Sequence, residues 1–186
     1  MCLITGHEER DQTFMEDYPF EKRCLYVFDK MYFKTKGFAA IKLHEAYFVT
    51  RMKRNVLFET IDSRPVNGIT VLADHTILFC GRWAKSGYPE KLRRVRYYSA
   101  EKNEVLDFVT NNFELDAESI SLLYRYRWQI ELFFKWIKQH LRITSFYGTS
   151  ANAVMIQIYV AFTTYCMLAM VADSLKYQGQ LYEFAN

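Results

Sequence analysis

The chain has 186 residues, of which 51% are apolar and 17% aromatic, and its formal net charge is +3. This composition can bury a sizeable core, which excludes a disordered chain and predicts one domain, with room for an inserted subdomain. The charge is uneven, because the first 30 residues hold more acids than bases and the positive charge lies beyond them. The N-terminus is polar and acidic, which argues against a signal peptide.

Four cysteines, Cys2, Cys24, Cys80 and Cys166, lie far apart and form no CxxC pair. This spacing does not match a zinc motif, and it predicts reduced thiols of a cytoplasmic protein.

The first elements of the chain are expected to be short. Met1–Thr5 reads like the end of a strand, and a short helix is expected at Asp11–Met15.

Cys24–Phe28 has the length and β propensity of a buried strand, and Asp29 follows it directly. An acid at the carboxyl end of a central strand lies where α/β sheets bind ligands. Taken alone, Asp29 also fits a turn residue or a helix cap.

A helix at Phe33–Glu45 and a buried strand at Ala46–Thr50 are expected next. Arg51 ends this strand, and Lys53 follows closely. The two cations are candidates for anion binding, although an exposed basic strand end would have the same sequence.

Residues 56–112 have a β pattern. Pro65-Val-Asn-Gly68 predicts a hairpin, because Asn-Gly readily adopts the positive φ angles of a type I′ turn. Strands are expected at Ile69–Ala73, Thr76–Cys80, Val95–Ser99 and Val105–Asn111. We interpret this segment as a β-rich insertion whose last strand rejoins the main sheet.

Within this segment, Arg82–Arg96 carries six cations and one acid, with tyrosines in and beside it. Such a stretch suits a phosphate backbone, which makes Arg93, Arg94 and Arg96 candidate DNA contacts. A solvated basic hairpin is the alternative.

The stretch Tyr124–Lys138, YRYRWQIELFFKWIK, lacks Pro and Gly and predicts a helix, with Asp116 as a plausible N-cap. Helical geometry places one carboxylate, one phenol and three cations within a wedge of roughly 80°. These residues are Tyr124, Arg127, Glu131, Lys135 and Lys138. An ionised carboxylate there can bind a hard divalent cation while the cations contact phosphates. Ordinary ion pairs one helical turn apart are the alternative.

Gly148 and Ser150 break the chain before a long apolar helix at Ala151–Ala172. Its length would span a bilayer. However, polar residues interrupt it and no polybasic flank sets an orientation, which favours a helix packed in a protein core.

The spacing Y-x2-R-x3-E-x6-K resembles the signature box of a large family of bacterial insertion-sequence transposases. These enzymes have a DDE active site on an RNase H-like fold. The surrounding run, LYRYRWQIELFFKWIKQHLRITSF, is similar to that family too. The text YVFDKMYF resembles the family's second-acid box, which typically has Gly where Met31 stands.

This resemblance implies an α/β fold, an RNase H-like mixed sheet flanked by helices, with residues 56–112 inserted before the last catalytic helix. It implies that Asp29 is the second catalytic acid, that Glu131 is the third, and that both bind Mg²⁺ (or Mn²⁺). Arg51 would approach DNA near the metal. The implied partners are transposon-end and target DNA and a second subunit in a synaptic homodimer, in the cytoplasm and without a membrane.

The first acid of the implied triad is not found. Only 28 residues precede Asp29, and none of their acids follows an apolar strand. We therefore expect residues 1–186 to be a partial catalytic domain, incomplete at the N-terminus and inactive alone. The alternatives are a non-catalytic DNA-binding remnant and a membrane or helix-interaction protein built on residues 151–172.

Overall fold

The computed structural model describes residues 14–66, 69–140 and 147–177, together with residue 179. The chain divides into two compact units, residues 1–127 and residues 128–186. In chain order the described elements are α1 (Phe14–Asp17), β1 (Leu25–Phe28), a 3-10 turn (Lys30–Tyr32), α2 (Thr35–Leu43), β2 (Tyr47–Arg51), β3 (Phe58–Arg64), β4 (Val71–Phe79), α3 (Arg82–Gly87), β5 (Leu92–Ser99), β6 (Glu104–Thr110), α4 (Ala117–His140) and α5 (Ala151–Ser174).

The strands β1 and β2 form a parallel pair, with Phe28 opposite Thr50. Parallel neighbours need a crossover connection, which α2 supplies here. The helix packs on the sheet through Phe38, whose ring stacks on Phe48 with centroids 4.3 Å apart. This arrangement places Asp29, which directly follows β1, beside the carboxyl end of β2.

Residues 56–112 extend the same sheet, whose strand order is β1-β2-β6-β5-β4-β3. The strand β6 pairs antiparallel with β2, so the prediction that the last strand of this segment rejoins the sheet is confirmed. The predicted Asn67-Gly68 turn lies outside the described residues. The strands on either side of it, β3 and β4, are antiparallel neighbours.

Each face of the sheet carries its own apolar core. On β2, Phe48 belongs to the first core and Val49 to the second, because successive strand residues point to opposite faces. The first core lies on the face that α2 covers and includes Phe38, Ile41, Phe48, Ile77, Phe79, Leu92 and Val109. The second core includes Val49, Val71, Val95, Tyr97, Leu106, Phe108, Ile120 and Tyr124. The start of α4 therefore packs on the second face.

Asp116 caps α4, as the sequence predicts. Its two carboxylate oxygens accept hydrogen bonds from the Ser119 amide at 2.7 Å and from the Ser119 hydroxyl at 2.6 Å. These bonds favour the ionised carboxylate and hold the pKa of Asp116 below its ordinary value. One turn further on, Ile120 is fully buried. The cap and this anchor fix where the helix leaves the sheet.

The second unit has a small core of its own. Phe133 and Trp136 of α4 pack with Ala161 and Tyr165 of α5. The predicted recapping is confirmed, because the Ser150 side chain accepts a hydrogen bond from the Ala153 amide at 3.2 Å. By length and composition alone α5 could cross a membrane, and 6% of its most apolar stretch is buried. Among the described residues, the core packing expected of this helix is therefore limited to the side that carries Ala161 and Tyr165.

Two elements differ from their predicted form. A single strand, β4, replaces two predicted strands separated at Asp74 and His75. No break is needed there, because the Asp74 carboxylate is buried and paired with Arg93. No strand was predicted at β3, because its sequence contains polar residues such as Glu59 and Asp62. The structure shows that the middle residues of this strand are exposed.

Candidate active site

Asp29 lies at the carboxyl end of β1 with its side chain 28% exposed. Its Oδ1 accepts a hydrogen bond from the Met31 amide at 2.9 Å, so it caps the 3-10 turn. The alternative interpretation of Asp29 as a helix cap is therefore confirmed, and its role as a catalytic acid stays a prediction. The fully buried Thr50 donates from its hydroxyl to the Asp29 carbonyl oxygen at 3.4 Å. These contacts hold the carboxylate at the edge where β1 and β2 end.

The other carboxylate oxygen of Asp29 faces Arg127. A terminal guanidinium nitrogen of Arg127 lies 3.4 Å from Asp29 Oδ2, and the arginine side chain is 15% exposed. The same guanidinium lies over the ring of Tyr124, 5.3 Å from its centroid. The structure thus brings the proposed second acid together with the first two residues of the signature box.

Tyr124 closes this cluster from the core side. It is 8% exposed, and its ring lies 4.7 Å from that of Phe108. Burial raises the pKa of Tyr124 above its ordinary value; the Arg127 charge opposes this shift and the Asp29 charge adds to it. The phenol therefore stays protonated at neutral pH, where it can donate a hydrogen bond to an anionic oxygen.

Arg51 lies near this cluster, because the charge of its guanidinium lowers the pKa of the Tyr124 phenol. It is three-quarters buried and pairs with Glu104 of β6, 3.1 Å away. It is therefore not a freely exposed strand end. Lys53 is exposed, with its ammonium 6.0 Å from the ring centroid of Phe33. Contact of either cation with DNA stays a prediction.

Two of the predicted DNA contacts, Arg93 and Arg94, are buried and ion-paired within the sheet. Arg93 is 3% exposed and pairs with Asp74 at 2.7 Å. Arg94 is 7% exposed and pairs with Asp107 at 2.6 Å. A guanidinium that is buried and ion-paired cannot reach a phosphate backbone without giving up its partner. The burial and pairing of Arg93 and Arg94 therefore disfavour the predicted contacts of these two residues with DNA.

The remaining predicted residues have different settings. Arg96 has a side chain 47% exposed, 3.8 Å from Asp107, and stays available to solvent. In the second unit, Glu131 is half-buried and Lys135 is exposed, both on α4. Lys138 also lies on α4, and its side chain is outside the described part of the chain. The proximity of Glu131 to Asp29 stays a prediction.

Asp29 fits a divalent cation as one ligand of a larger set. Its carboxylate is a hard oxygen donor, partly exposed at a sheet edge, which Mg²⁺ and Mn²⁺ prefer. Within the described ranges, however, no three His, Cys, Asp or Glu side chains lie close enough together to hold a metal ion. The described residues thus do not by themselves form a complete metal site.

Sequence reasoning missed Thr50 and Asp74. Thr50 gives no signal in sequence, because a threonine near the end of a buried strand is ordinary. Asp74 gave a signal that was read as a break between strands. An acid inside an apolar strand also indicates a buried basic partner, which the structure shows to be Arg93 on the neighbouring strand.

Comparisons with known proteins point to one protein family. The profile of the family described as "Transposase DDE domain" matches residues 7–167. The protein y4zB of Sinorhizobium fredii, which bears a transposase name, is 35% identical over 174 residues, 91% of this chain and 48% of that protein. A Geobacillus stearothermophilus protein, named for a transposase of insertion sequence element IS5377, is 32% identical over 152 residues, 82% of this chain and 40% of that protein. The chain thus spans about half the length of these curated relatives. It belongs to the transposase DDE domain family.

Proposed function

We propose that this chain forms part of the catalytic centre of a transposase that cleaves DNA strands and joins them to a target. In this proposal Asp29 and Glu131 are two of its metal-binding acids. The observation that carries the proposal is the contact of Arg127 with Asp29, beside Tyr124. It joins two sequence motifs, one containing an acid and one containing phosphate-binding groups, at the edge of a sheet where ligands bind.

Members of this family generally use divalent metals. When bound, such ions activate an attacking water or DNA 3′-hydroxyl and stabilise the leaving oxygen. Asp29 and Glu131 would supply carboxylates that hold the metal ions. Tyr124 and Arg127 would donate hydrogen bonds to phosphate oxygens and so orient the DNA. The donor set of the described residues lacks a third carboxylate. We therefore propose that the chain does not cleave DNA until a segment supplies one.

DNA would be bound through its phosphates. The cations that we assign to this role are Arg51, Lys53, Arg96, Arg127, Lys135 and Lys138. Because they contact the backbone rather than base edges, binding should be salt-dependent and largely independent of sequence. A homodimer holding two transposon ends, and a location in the cytoplasm with the DNA, complete the proposal.

The test is a DNA-nicking assay with supercoiled plasmid and Mn²⁺ or Mg²⁺. The 186-residue chain should not nick. A fusion that adds a segment carrying a strand and its Asp ahead of Met1 should nick in a metal-dependent way. In the fusion, Glu131→Gln should abolish nicking and leave DNA binding largely intact, because an amide keeps the shape of the side chain without its charge.

The matched control is Glu118→Gln in the first turn of the same helix, which should nick normally. Nicking by the unfused chain, lost on Glu131→Gln, would show that acids of this chain alone complete the site. A folded fusion that binds DNA and never nicks would favour the non-catalytic DNA-binding alternative.

A further inference from the structure

The guanidinium of Arg93 lies at the centre of a buried polar network on the face of the sheet that α4 covers. Its Nε donates to Asp74 Oδ1 at 2.9 Å, and a terminal nitrogen donates to Asp74 Oδ2 at 2.7 Å. The two residues are 3% and 4% exposed. This parallel, two-bond geometry is the strongest that an arginine and a carboxylate form, and it fixes the plane of the guanidinium.

The third nitrogen of the same guanidinium is directed at the link between β6 and α4. It donates to the backbone carbonyl of Asn112 at 3.4 Å and to that of Leu115 at a shorter distance. The Asn112 side chain braces this link, since its oxygen accepts from the amides of Glu114 at 3.0 Å and Leu115 at 2.8 Å. One side chain therefore joins β4, β5 and the entrance to α4.

The position of α4 decides whether the candidate active site exists. Arg127 lies ten residues beyond the start of α4 at Ala117, which corresponds to roughly 15 Å along the helix. A tilt of about 10° at the link would move Arg127 by roughly 2.6 Å at that helical rise, enough to break its 3.4 Å contact with Asp29. A small change at the link would thus be amplified at the site.

We propose that Arg93 and Asp74 are positioning residues: they hold the entrance of α4 so that Tyr124 and Arg127 meet Asp29. A buried charge that must keep its partner gives this link a fixed geometry, which apolar packing alone would leave looser. The catalytic meaning of this placement rests on the proposed function. The placement itself can be tested without DNA.

The surroundings of the pair provide a chemical test. A cavity of about 330 Å³ lies beside it, lined by Arg64, Asp74 and Arg93 and by residues 116–118 at the start of α4. Removing the Arg93 side chain would enlarge this cavity and leave the Asp74 carboxylate without its Arg93 partner. Free guanidinium could then enter and bind Asp74 in place of the missing group, whereas urea, which has nearly the same shape and no charge, should not.

The experiment compares Arg93→Ala with Arg94→Ala by NMR. Arg94 is the matched control, because it is a neighbouring buried arginine on the same strand whose partner is Asp107. The readout is the nuclear Overhauser effect between the Phe108 and Tyr124 rings, whose centroids are 4.7 Å apart. We expect at least a twofold loss in Arg93→Ala and no loss in Arg94→Ala. Guanidinium at about 20 mM, too dilute to denature, should restore the signal, and urea should not.

A full signal in Arg93→Ala, or an equal loss in both variants, would overturn the proposal. If Arg93→Ala does not fold, the variant Arg93→Lys tests whether Arg93 positions α4. It keeps the charge beside Asp74 but cannot reach Asp74 and the two carbonyls together. The ring signal should then fall in the folded protein, and an unchanged signal would count against a positioning role.

DNA affinity separates this inference from the proposed function. Arg127→Ala should weaken DNA binding several-fold in the parent chain and have little further effect in the Arg93→Lys background. If Arg127→Ala has no effect even in the parent chain, the proposed role of Arg127 fails. The ring signal still decides whether Arg93 positions α4.

Discussion

The guanidinium of Arg127 lies 3.4 Å from the carboxylate of Asp29, and the two side chains are 15% and 28% exposed. They come from separate sequence motifs, which the fold joins at the edge where β1 and β2 end. Because solvent screens a partly exposed pair, the contact contributes about 1 kcal/mol or less to stability. Its importance is geometric, since it sets the orientation of the Asp29 carboxylate at this edge.

The different settings of Arg94 and Arg96 predict that their substitutions affect DNA binding differently. Arg96→Ala should weaken binding to all sequences alike and lower the salt slope by about one, as expected for one lost phosphate contact. Arg94→Ala should leave the slope unchanged, because its guanidinium is already paired with Asp107. Fluorescence anisotropy of a labelled duplex over a series of NaCl concentrations measures both slopes. Equal slopes for Arg96→Ala and the parent chain would remove Arg96 from the interface.

The sequence predicted the parts of the fold that depend on local pattern. The apolar run before Asp29 predicted β1, and the capping residues Asp116 and Ser150 marked the starts of α4 and α5. The roles of Arg93 and Arg94 could not be predicted in this way, because a run of cations has the same sequence whether solvent or buried carboxylates neutralise it. Only the pairing of β5 with β4 and β6 determines their partners.

The cap of α4 predicts a pH dependence in the acid range. The folded-state pKa of Asp116 lies below its unfolded value, so the ionised cap stabilises the fold fully above about pH 4. This contribution is lost as the pH falls through the folded-state pKa. Asp116→Asn keeps the acceptor for the Ser119 amide but does not titrate. Urea titrations should show the parent chain as more stable than the variant at pH 7, with the difference shrinking as the pH falls below about 4. A difference that does not change with pH would contradict this role.

The buried pair of Arg93 and Asp74 predicts non-additive effects on stability. Asp74→Leu alone should destabilise the chain by about 3–5 kcal/mol, because it leaves the Arg93 charge buried without its carboxylate. Arg93→Met combined with Asp74→Leu should cost less than the sum of the single changes, since both buried charges are then gone. Urea denaturation of the two single variants and the double variant measures the coupling. Strict additivity would show that the two side chains do not depend on each other.

The contact between Asp29 and Arg127 predicts how this chain responds to metal. A guanidinium beside Asp29 Oδ2 competes with a divalent cation for the same oxygen, so Arg127→Gln should raise the affinity for Mn²⁺. A gain of about 1 kcal/mol, the upper value for such a pair, corresponds to roughly fivefold. Asp29→Asn should instead abolish binding at this site. Arg125→Gln is the matched control, because Arg125 lies on the same helix and pairs with Glu101. Paramagnetic relaxation of water protons by Mn²⁺ measures all four proteins without DNA or catalysis. Weaker Mn²⁺ binding by Arg127→Gln than by the parent chain would mean that Arg127 supports the metal site rather than competing for it.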